Sequence, residues 1–166
     1  MNIIDELSWR GAVNQMTEEE NLRKLTEEKS ISLYCGVDPT GDSLHIGHLI
    51  PFMMLKRFAM AGHHPYIVIG GGTGAIGDPS GRKTERQLQT METIQANAEK
   101  LKAQFTHLFG DDQNITFVNN YDWLSKISLL DFLRDYGKLF PINIMLAKEV
   151  VASRLENGIS FTEFTY

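Results

Sequence analysis

The alternation of strand-like and helix-like hydrophobic patterns constrains the fold of this chain most strongly. Apolar and polar residues alternate over 31–37, the period of two of a half-buried strand. A segment over about 47–61 is apolar nearly all round and is expected to be a buried helix, and an apolar strand follows over 66–70. A glycine-rich stretch, a long amphipathic helix and a third strand over 115–118 come next. This order predicts an α/β fold in which crossover helices connect parallel strands.

Signals at helix starts place the remaining elements. Thr17 followed by Glu20 has the pattern of a capping box and predicts the start of a second helix, after a short opening helix. Ser128 with Asp131 at the third position predicts another helix start, and a further helix is predicted over about 141–155. Apolar residues at three- and four-residue spacing predict the long helix before the third strand: Leu88, Met91, Ile94, Ala98, Leu101, Phe105 and Leu108.

Length, charge and cysteine content limit the classes of function. The 166 residues suffice for one domain with a hydrophobic core. The sequence shows neither a membrane-spanning apolar run nor a signal or transit segment, which predicts a cytoplasmic protein without membrane contact. The single cysteine, Cys35, excludes an internal disulfide framework. The net charge of -5 gives no broad basic surface, so most contacts to any RNA are expected to lie elsewhere.

The segment 39–48 lies between the first predicted strand and its helix. Ligands of open parallel sheets bind beyond the carboxyl ends of strands, where a helix N-terminus offers N–H groups to phosphate. His45 and His48 share a helical face and can donate hydrogen bonds to phosphate or ribose oxygens, and Thr40 adds a hydroxyl. Gly47 leaves room for a flat base or a ribose. The alternative is a helix entry with two structural histidines, but the strand–helix context favours a ligand site.

The glycine-rich stretch after the second strand contains a G-x-G-x-x-G pattern over 72–77. A dinucleotide site requires a helix to open within these glycines, whereas the following Asp78-Pro79-Ser80-Gly81 favours a loop. A Walker loop is excluded, because no Gly-Lys pair stands at the required spacing. Arg82 and Arg86 can neutralise charge on a departing pyrophosphate, and Asp78 can bind an ammonium group. The alternative is a solvated basic loop with a turn aspartate.

Several motifs occur in the order found in one enzyme family. The segment 45–48, His-Ile-Gly-His, matches the signature of class I aminoacyl-tRNA synthetases. The segments 34–44, 77–81, 120–123 and 158–164 resemble the bacterial tyrosyl-tRNA synthetases, and the similarity extends over essentially the whole chain. The resemblance implies a Rossmann-like, HUP-type parallel sheet with crossover helices, the first half of a nucleotide-binding domain. It also implies an N-terminal helical segment over 1–30 and a truncated catalytic domain over 31–166.

The resemblance implies a two-step reaction. The carboxylate of L-tyrosine attacks the α-phosphorus of ATP and releases pyrophosphate, and the tyrosyl group then passes to tRNA(Tyr). A carboxylate needs no general base, so catalysis is expected to come from alignment and charge stabilisation. Mg²⁺ is expected to accompany ATP without a fixed protein metal site. The resemblance further implies a homodimer whose tRNA contacts lie mainly in a C-terminal part beyond this chain.

The resemblance assigns roles to individual residues. The hydroxyl of Tyr34 is expected to face the substrate phenol, and Thr40 and His45 are expected to contact the γ-phosphate. The residues expected to act in catalysis are Thr40, His45, His48, Arg82 and Arg86. Those expected to bind tyrosine are Tyr34, Thr73, Asp78 and Tyr166. Those expected to bind ATP are Cys35, Gly36, Asp38, Pro39 and Gly47. Taken alone, Tyr34 and Cys35 are more typical of packing residues than of a binding site.

Three alternatives stay open at the level of sequence. A small nucleotidyltransferase also begins a helix with His-x-Gly-His, and it predicts turnover by this chain alone. A non-catalytic ATP- or RNA-binding module is disfavoured by the acidic charge. A dinucleotide oxidoreductase is the third. The synthetase resemblance instead predicts a chain that is inactive or nearly so alone, because the second half of the sheet and a Lys-rich loop are expected beyond residue 166.

Overall fold

A computed structural model describes residues 2–77, 88–110, 114–155 and 158–165. The strands β1 (Ser32–Val37), β2 (His64–Ile69) and β3 (Thr116–Asn119) form one sheet in the order β1-β2-β3. β1 and β2 pair in parallel from Ser32 opposite His64 to Val37 opposite Ile69. Their carboxyl ends are therefore level. The prediction of a parallel sheet with crossover helices is confirmed.

The helices of the described residues include two long ones, α3 (Ile46–Met60) between β1 and β2 and α5 (Met91–Phe109) before β3. Two helices precede the sheet, α1 (Ile3–Trp9) and α2 (Glu19–Glu28), and a single turn, α4 (Thr73–Ile76), follows β2. Short helices follow β3: α6 (Tyr121–Leu124), α7 (Leu129–Asp131), a π-helical turn (Phe132–Tyr136), a 3-10 turn (Gly137–Leu139), α8 (Ile142–Leu146), α9 (Glu149–Leu155) and α10 (Phe161–Phe164).

The predicted hydrophobic faces account for the core. Alternate residues of β1 are exposed, while Leu33 and Cys35 are half-buried and Val37 is buried, as the period of two predicts. The rings of Phe52 on α3 and Phe105 on α5 meet with centroids 4.4 Å apart in the main core. Each fully buried large side chain stabilises the fold by roughly 1.5–3 kcal/mol relative to exposure. A second core cluster joins α1 to α3 through Ile3, Ile4, Leu7 and Phe58.

The chain divides into two compact units. The first comprises the described residues of Met1–Val37, Gly41–Ile69 and Glu99–Val118, and it contains both core clusters. The second comprises the described residues of Asp38–Thr40, Gly70–Ala98 and Asn119–Tyr166. The segments of the second unit thus begin directly after the last residues of β1 and β2, and at the last residue of β3. The division at residue 30 into a helical segment and a catalytic domain stays a prediction.

The predicted capping box at the start of α2 is wrong. α2 begins at Glu19, and the preceding Glu18 has a left-handed backbone with φ 51°. A capping box needs an extended N-cap three residues before the glutamate. Glu20 is instead the second helical residue, and the N-cap makes no side-chain hydrogen bond. By contrast, the predicted cap at Ser128 is confirmed, because its hydroxyl accepts the Asp131 N–H at 3.1 Å.

The burial of α3 and the bounds of two later elements also differ from the sequence predictions, because hydrophobic periodicity does not determine them. The outer face of α3 was expected to be buried but is open, with Ile46 82% and Ile50 67% exposed. β2 begins two residues early, so that Pro65 lies near the start of the strand, where a missing N–H is tolerated. The single helix predicted over 141–155 is two, α8 and α9, and neither glycine nor proline marks the break.

Candidate active site

The His-Ile-Gly-His segment closes the N-terminus of α3. His45 is the N-cap, with the extended backbone that this position requires (φ -118°, ψ 169°). Its Nδ1 accepts the N–H of Gly47 at 3.1 Å, and its own N–H donates to Nδ1 of His48 at 3.2 Å. The two histidines therefore form a reciprocal capping box, a use of these side chains that the motif alone does not reveal.

The same hydrogen bonds indicate which tautomer each neutral ring adopts. The His45 and His48 rings are stacked with centroids 3.7 Å apart and planes 19° apart. Because each Nδ1 accepts a hydrogen bond, the proton of each neutral ring is on Nε2. Burial, and secondly the neighbouring His45, lower the pKa of His48 below its ordinary value. Each ring in its neutral form thus keeps one Nε2–H donor for a ligand.

Gly47 has a structural role besides the one predicted from the sequence. A Cβ atom at this position would lie 3.0 Å from Cε1 and 3.1 Å from Nδ1 of His45. The ring of His45 therefore occupies the space that a side chain at residue 47 would need. A side chain at residue 47 would require this ring to shift, so glycine favours the cap as it stands.

In the second unit, one hydrogen-bonded chain joins the segments that follow all three strands. The hydroxyl of Thr73 donates to Oδ1 of Asp38 at 2.7 Å. Nδ2 of Asn120 donates to the Thr73 hydroxyl at 3.0 Å. Asp38 follows β1, Thr73 lies in the segment after β2, and Asn120 follows β3. Polar side chains from the segments that follow the strands are thus aligned by one another, and residues that follow parallel strands commonly bind ligands.

Two neighbouring asparagines hold the backbone after β2. Oδ1 of Asn120 accepts the N–H of Gly72 at 2.7 Å, and Oδ1 of Asn119 accepts the N–H of Gly71 at 3.2 Å. A Cβ at Gly71 would lie 2.4 Å from Oδ1 of Asn119, and a Cβ at Gly70 would lie 1.9 Å from Oδ1 of Asp38. Glycine is required at both positions because partner side chains approach the backbone closely.

The glycine-rich pattern differs in part from the expectation of a loop. One helical turn, α4, opens at Thr73 and ends at Gly77, whose φ is 89°. A dinucleotide fingerprint needs a full helix opening within the glycines. The turn is therefore present, but the helix that would support a dinucleotide site ends after four residues.

The remaining described candidates lie on β1 or within three residues of its end in the sequence. Pro39 is buried and its carbonyl accepts Nδ2 of buried Asn97 at 3.1 Å, whereas Thr40 is exposed and its carbonyl accepts Nε2 of Gln89 at 3.0 Å. Tyr34 is 75% exposed, which excludes a packing role within the described residues. Cys35 and Gly36 follow Tyr34 on β1. Gly36 is exposed, and burial raises the pKa of the half-buried Cys35 thiol.

The structure describes only part of the candidate set. Asp78, Arg82, Arg86 and Tyr166 lie outside the described residues, and their roles stay predictions. Among the described candidates, Asp38, Pro39, Thr40 and Thr73 belong to the second unit, and Tyr34, Cys35, Gly36, His45, Gly47 and His48 to the first.

Sequence reasoning missed the amide side chains that organise these segments. Asn119 is the last residue of β3, and Asn120 directly follows it. Asp38 and Gly70 hold the same position as Asn120 after β1 and β2. Applying the strand-end rule to the third strand as well would have found both asparagines. Asn97 and Gln89 carry no such signal, because their partners lie 58 and 49 residues away.

Within residues 2–77, 88–110, 114–155 and 158–165, no three or more His, Cys, Asp or Glu side chains are grouped as a metal site would require. Over the same ranges no helix combines the length and the apolar character needed to cross a membrane.

The chain is similar to known proteins over nearly its whole length. The sequence profile of the family described as "tRNA synthetases class I (W and Y)" matches residues 26–166. The chain is 78% identical to a tyrosine–tRNA ligase of Latilactobacillus sakei over 165 residues, which are 99% of this chain and 39% of that protein. It is 76% identical to the tyrosine–tRNA ligase of Levilactobacillus brevis, over all of this chain and 40% of that protein.

A solved structure gives the same result for the fold. The C-terminally truncated mitochondrial tyrosyl-tRNA synthetase of Aspergillus nidulans superposes with a TM-score of 0.89 at 32% identity, covering 99% of this chain and 51% of the other. The chain spans about 40% of the length of the curated relatives it matches. With a matching profile over residues 26–166, the chain belongs to the class I tRNA synthetase family of the tryptophan and tyrosine enzymes.

Proposed function

We propose that this chain is the part of a tyrosine–tRNA ligase that binds ATP and L-tyrosine. The observation that carries the proposal is the 78% identity to a tyrosine–tRNA ligase across 99% of the chain. The hydrogen-bonded His45–His48 pair supports it, since a site for phosphate or ribose needs exposed donors at a helix N-terminus. The proposed reaction forms tyrosyl-adenylate and then transfers the tyrosyl group to tRNA(Tyr).

In the first step the tyrosine carboxylate attacks the α-phosphorus of ATP, and the bond to pyrophosphate breaks. The nucleophile is already ionised, so the protein has to align the reactants and stabilise the charge that gathers on pyrophosphate. His45 and Thr40 are proposed to meet the γ-phosphate, and Arg82 and Arg86 to clamp the leaving group. The Nε2–H donors favoured by the two Nδ1 hydrogen bonds suit this role.

For the nucleoside, the proposed contacts come from both sides of the β1–α3 connection. His48 and Cys35 are proposed to bind the ribose, and Gly47 to lie beneath adenine. Gly36, Asp38 and Pro39 are also proposed to bind ATP. The raised pKa of Cys35 keeps it a neutral thiol at pH 7, which suits a weak hydrogen bond to a hydroxyl rather than nucleophilic chemistry.

Tyrosine recognition is proposed to use Tyr34, Thr73, Asp78 and Tyr166. The exposed hydroxyl of Tyr34 is proposed to pair with the substrate phenol. A site that hydrogen-bonds a substrate hydroxyl rejects phenylalanine, because its own polar group is then left unpaired. Thr73 is held by Asp38 and Asn120, so its hydroxyl is fixed before a substrate enters.

ATP is proposed to enter with Mg²⁺ bound to its phosphate oxygens and to water. The described residues offer no group of acidic or histidine side chains to hold the ion by themselves, so no step is assigned to a resident metal. We also propose a cytoplasmic enzyme whose tRNA contacts lie mainly outside this chain, in keeping with the net charge of -5.

A homodimer is proposed from the exposed apolar side chains of the second unit. These residues lie between α7 and α10 and are more than half exposed: Leu129, Leu130, Leu133, Leu139, Phe140, Ile142, Ile144 and Phe161. Soluble proteins rarely leave so many large apolar groups uncovered, and a second copy would bury them. Leu130→Glu, at a position that is 78% exposed, should therefore yield monomers in sedimentation analysis without loss of helical signal.

A chimera tests the function: this chain replaces the matching 165 residues of the L. sakei ligase, and the rest of that ligase is kept. We expect the chimera to catalyse tyrosine-dependent exchange between ATP and pyrophosphate, and the same chimera with His48→Ala to lose most of this activity. We expect the chain alone to be inactive or nearly so. An inactive chimera would overturn the proposal, and turnover by the chain alone would favour a small nucleotidyltransferase.

A further inference from the structure

The loop that leads into His45 is held by one side chain of α5. Oε1 of Gln104 accepts the N–H of Leu44 at 2.9 Å, and Nε2 of the same amide donates to the carbonyl of Asp42 at 3.3 Å. A single glutamine therefore satisfies one donor and one acceptor of the loop backbone. The bonds reach across about sixty residues of sequence, so they are tertiary rather than local contacts.

The first of these bonds acts at the residue next to the helix cap. Leu44 directly precedes His45, and its side chain packs against the main core. Leu44 and Leu49 stand at the two positions of a hydrophobic staple and line one groove, which Gln104 also lines. Leu44 is thus fixed both by its side chain and by its N–H. The direction in which the chain enters α3 determines the backbone conformation of His45. It thereby also determines the position of the His45 ring, on which the His48 ring stacks.

Gln104 is itself well anchored. It is half-buried and lies beside Phe105, which is completely buried in the main core. One turn earlier on α5, Lys100 pairs with the carboxylate of Asp42 at 3.3 Å. That ion pair is exposed, and exposed pairs contribute little. The restraint on the loop therefore depends chiefly on the amide of Gln104.

We propose that Gln104 is a positioning residue: through Leu44 it holds the His45–His48 pair in the arrangement that meets the phosphates and ribose of ATP. The role in ATP binding rests on the proposed function. The role in ordering the two histidines does not, because it follows from contacts within the first unit alone. Gln104 is not expected to contact a substrate.

The first test is NMR on the 166-residue chain with Gln104→Met, which keeps side-chain length and removes both hydrogen bonds. We expect the Leu44 amide to exchange with solvent about tenfold faster. We also expect the pKa of His48 to return towards its ordinary value, since a loosened pair loses the burial and the His45 contact that lower it. The matched control is Gln95→Met at an exposed glutamine of the same helix, which should change neither quantity.

A conservative variant keeps the test decisive if Gln104→Met does not fold. Gln104→Glu retains an oxygen for the Leu44 N–H and loses the donor to Asp42. The Leu44 amide should then exchange at a rate near that of the parent chain. Unchanged Leu44 exchange and His48 titration in Gln104→Met, or fast Leu44 exchange in Gln104→Glu, would overturn the proposal.

The second test uses kinetics of the L. sakei chimera. A residue that positions the phosphate contacts should lower kcat by about tenfold in Gln104→Met while KM for tyrosine stays within about twofold. A purely structural role would instead reduce the amount of folded enzyme and leave both constants unchanged, and that result would overturn the catalytic part. A chimera that is inactive with Gln104 intact would contradict the proposed function, and the NMR test would still decide the role of Gln104.

Discussion

The hydroxyl of Thr73 lies 2.7 Å from Oδ1 of Asp38, although the two residues are 35 positions apart in the chain. The same hydroxyl accepts Nδ2 of Asn120, 47 positions further on. A hydroxyl can donate once and accept at the same time, so Thr73 is the middle member of a directed chain of hydrogen bonds. The segments after three different strands are therefore connected through one oxygen atom.

Thr73→Val tests this connection, because it keeps the shape of the side chain and removes the hydroxyl. Asp38 and Asn120 would each lose one hydrogen bond. We expect the free energy of unfolding to fall by about 1–3 kcal/mol, measured by urea denaturation. Thr73→Ser keeps the hydroxyl and should lose clearly less. Equal stability of the two variants would contradict the importance of this bond.

Asn120→Ala removes two kinds of contact at a buried site. The Gly72 N–H would lose its acceptor at 2.7 Å, and the Thr73 hydroxyl would lose its donor. We expect a loss of about 1–3 kcal/mol in the free energy of unfolding and faster exchange of the Gly72 amide. Asn143→Ala, at an exposed position of α8, is the control and should stay within about 0.5 kcal/mol of the parent.

Gly47→Ala should disrupt the His45 cap. Alanine in a helix is ordinarily favoured over glycine by about 1 kcal/mol. Here the new Cβ would lie 3.0 Å from the His45 ring, so we expect no gain in stability and a loss of the His45–His48 stacking in NMR ring-current shifts. Gly137→Ala is the matched control, because its Cβ would meet ordinary contacts at 3.6 Å, and it should raise stability. A stabilised Gly47→Ala with intact stacking would show that the ring can move aside.

Acid should destabilise the first unit through His63. This ring is 4% exposed, and its Nδ1 accepts the N–H of Ile31 at 3.3 Å. Burial, and secondly the charge of His64, lower the pKa of His63 in the folded chain, whereas the unfolded value is near 6.5. The unfolded state therefore binds more protons below that value. The stabilising contribution is complete above pH 6.5 and is lost as the pH falls towards the folded pKa.

Urea midpoints at pH 7.5 and pH 5.5 measure this effect. The parent chain should lose stability at the lower pH, and His63→Gln should lose less, because glutamine does not titrate. The His48 ring shifts in the same direction and contributes to the same window. His107→Gln, at an exposed position of α5, is the control. A pH dependence unchanged by His63→Gln would exclude this ring as the cause.

Elements marked by a periodic hydrophobic pattern could be predicted from the sequence. Features that depend on contacts between residues far apart in the sequence could not. The alternation at Leu33, Cys35 and Val37 located β1, and the spacing of Ile94, Ala98, Leu101 and Phe105 located α5. Periodicity reports which face of an element is apolar, but not whether another element covers it. The exposed Ile46 and Ile50 on α3 show this difference.

The candidate site shows a similar division. The positions of His45 and His48 followed from a motif in a strand–helix context, yet the capping role of their rings did not, because it depends on rotamers. Gln104 and Asn97 lie on the long helix and read as ordinary polar positions of its surface. Only the fold reveals that their amides reach the backbone about sixty residues away, where the site residues lie.

Nδ1 of His45 caps the helix, which leaves Nε2 of the same ring to contact a ligand. Asparagine carries its amide oxygen near the place of Nδ1 and is itself a favoured N-cap, so His45→Asn preserves the helix start and removes the donor to a ligand. Glutamine extends an amide to about the reach of Nε2, so His45→Gln does the reverse. Substitutions at this motif can therefore alter ligand binding and helix initiation one at a time.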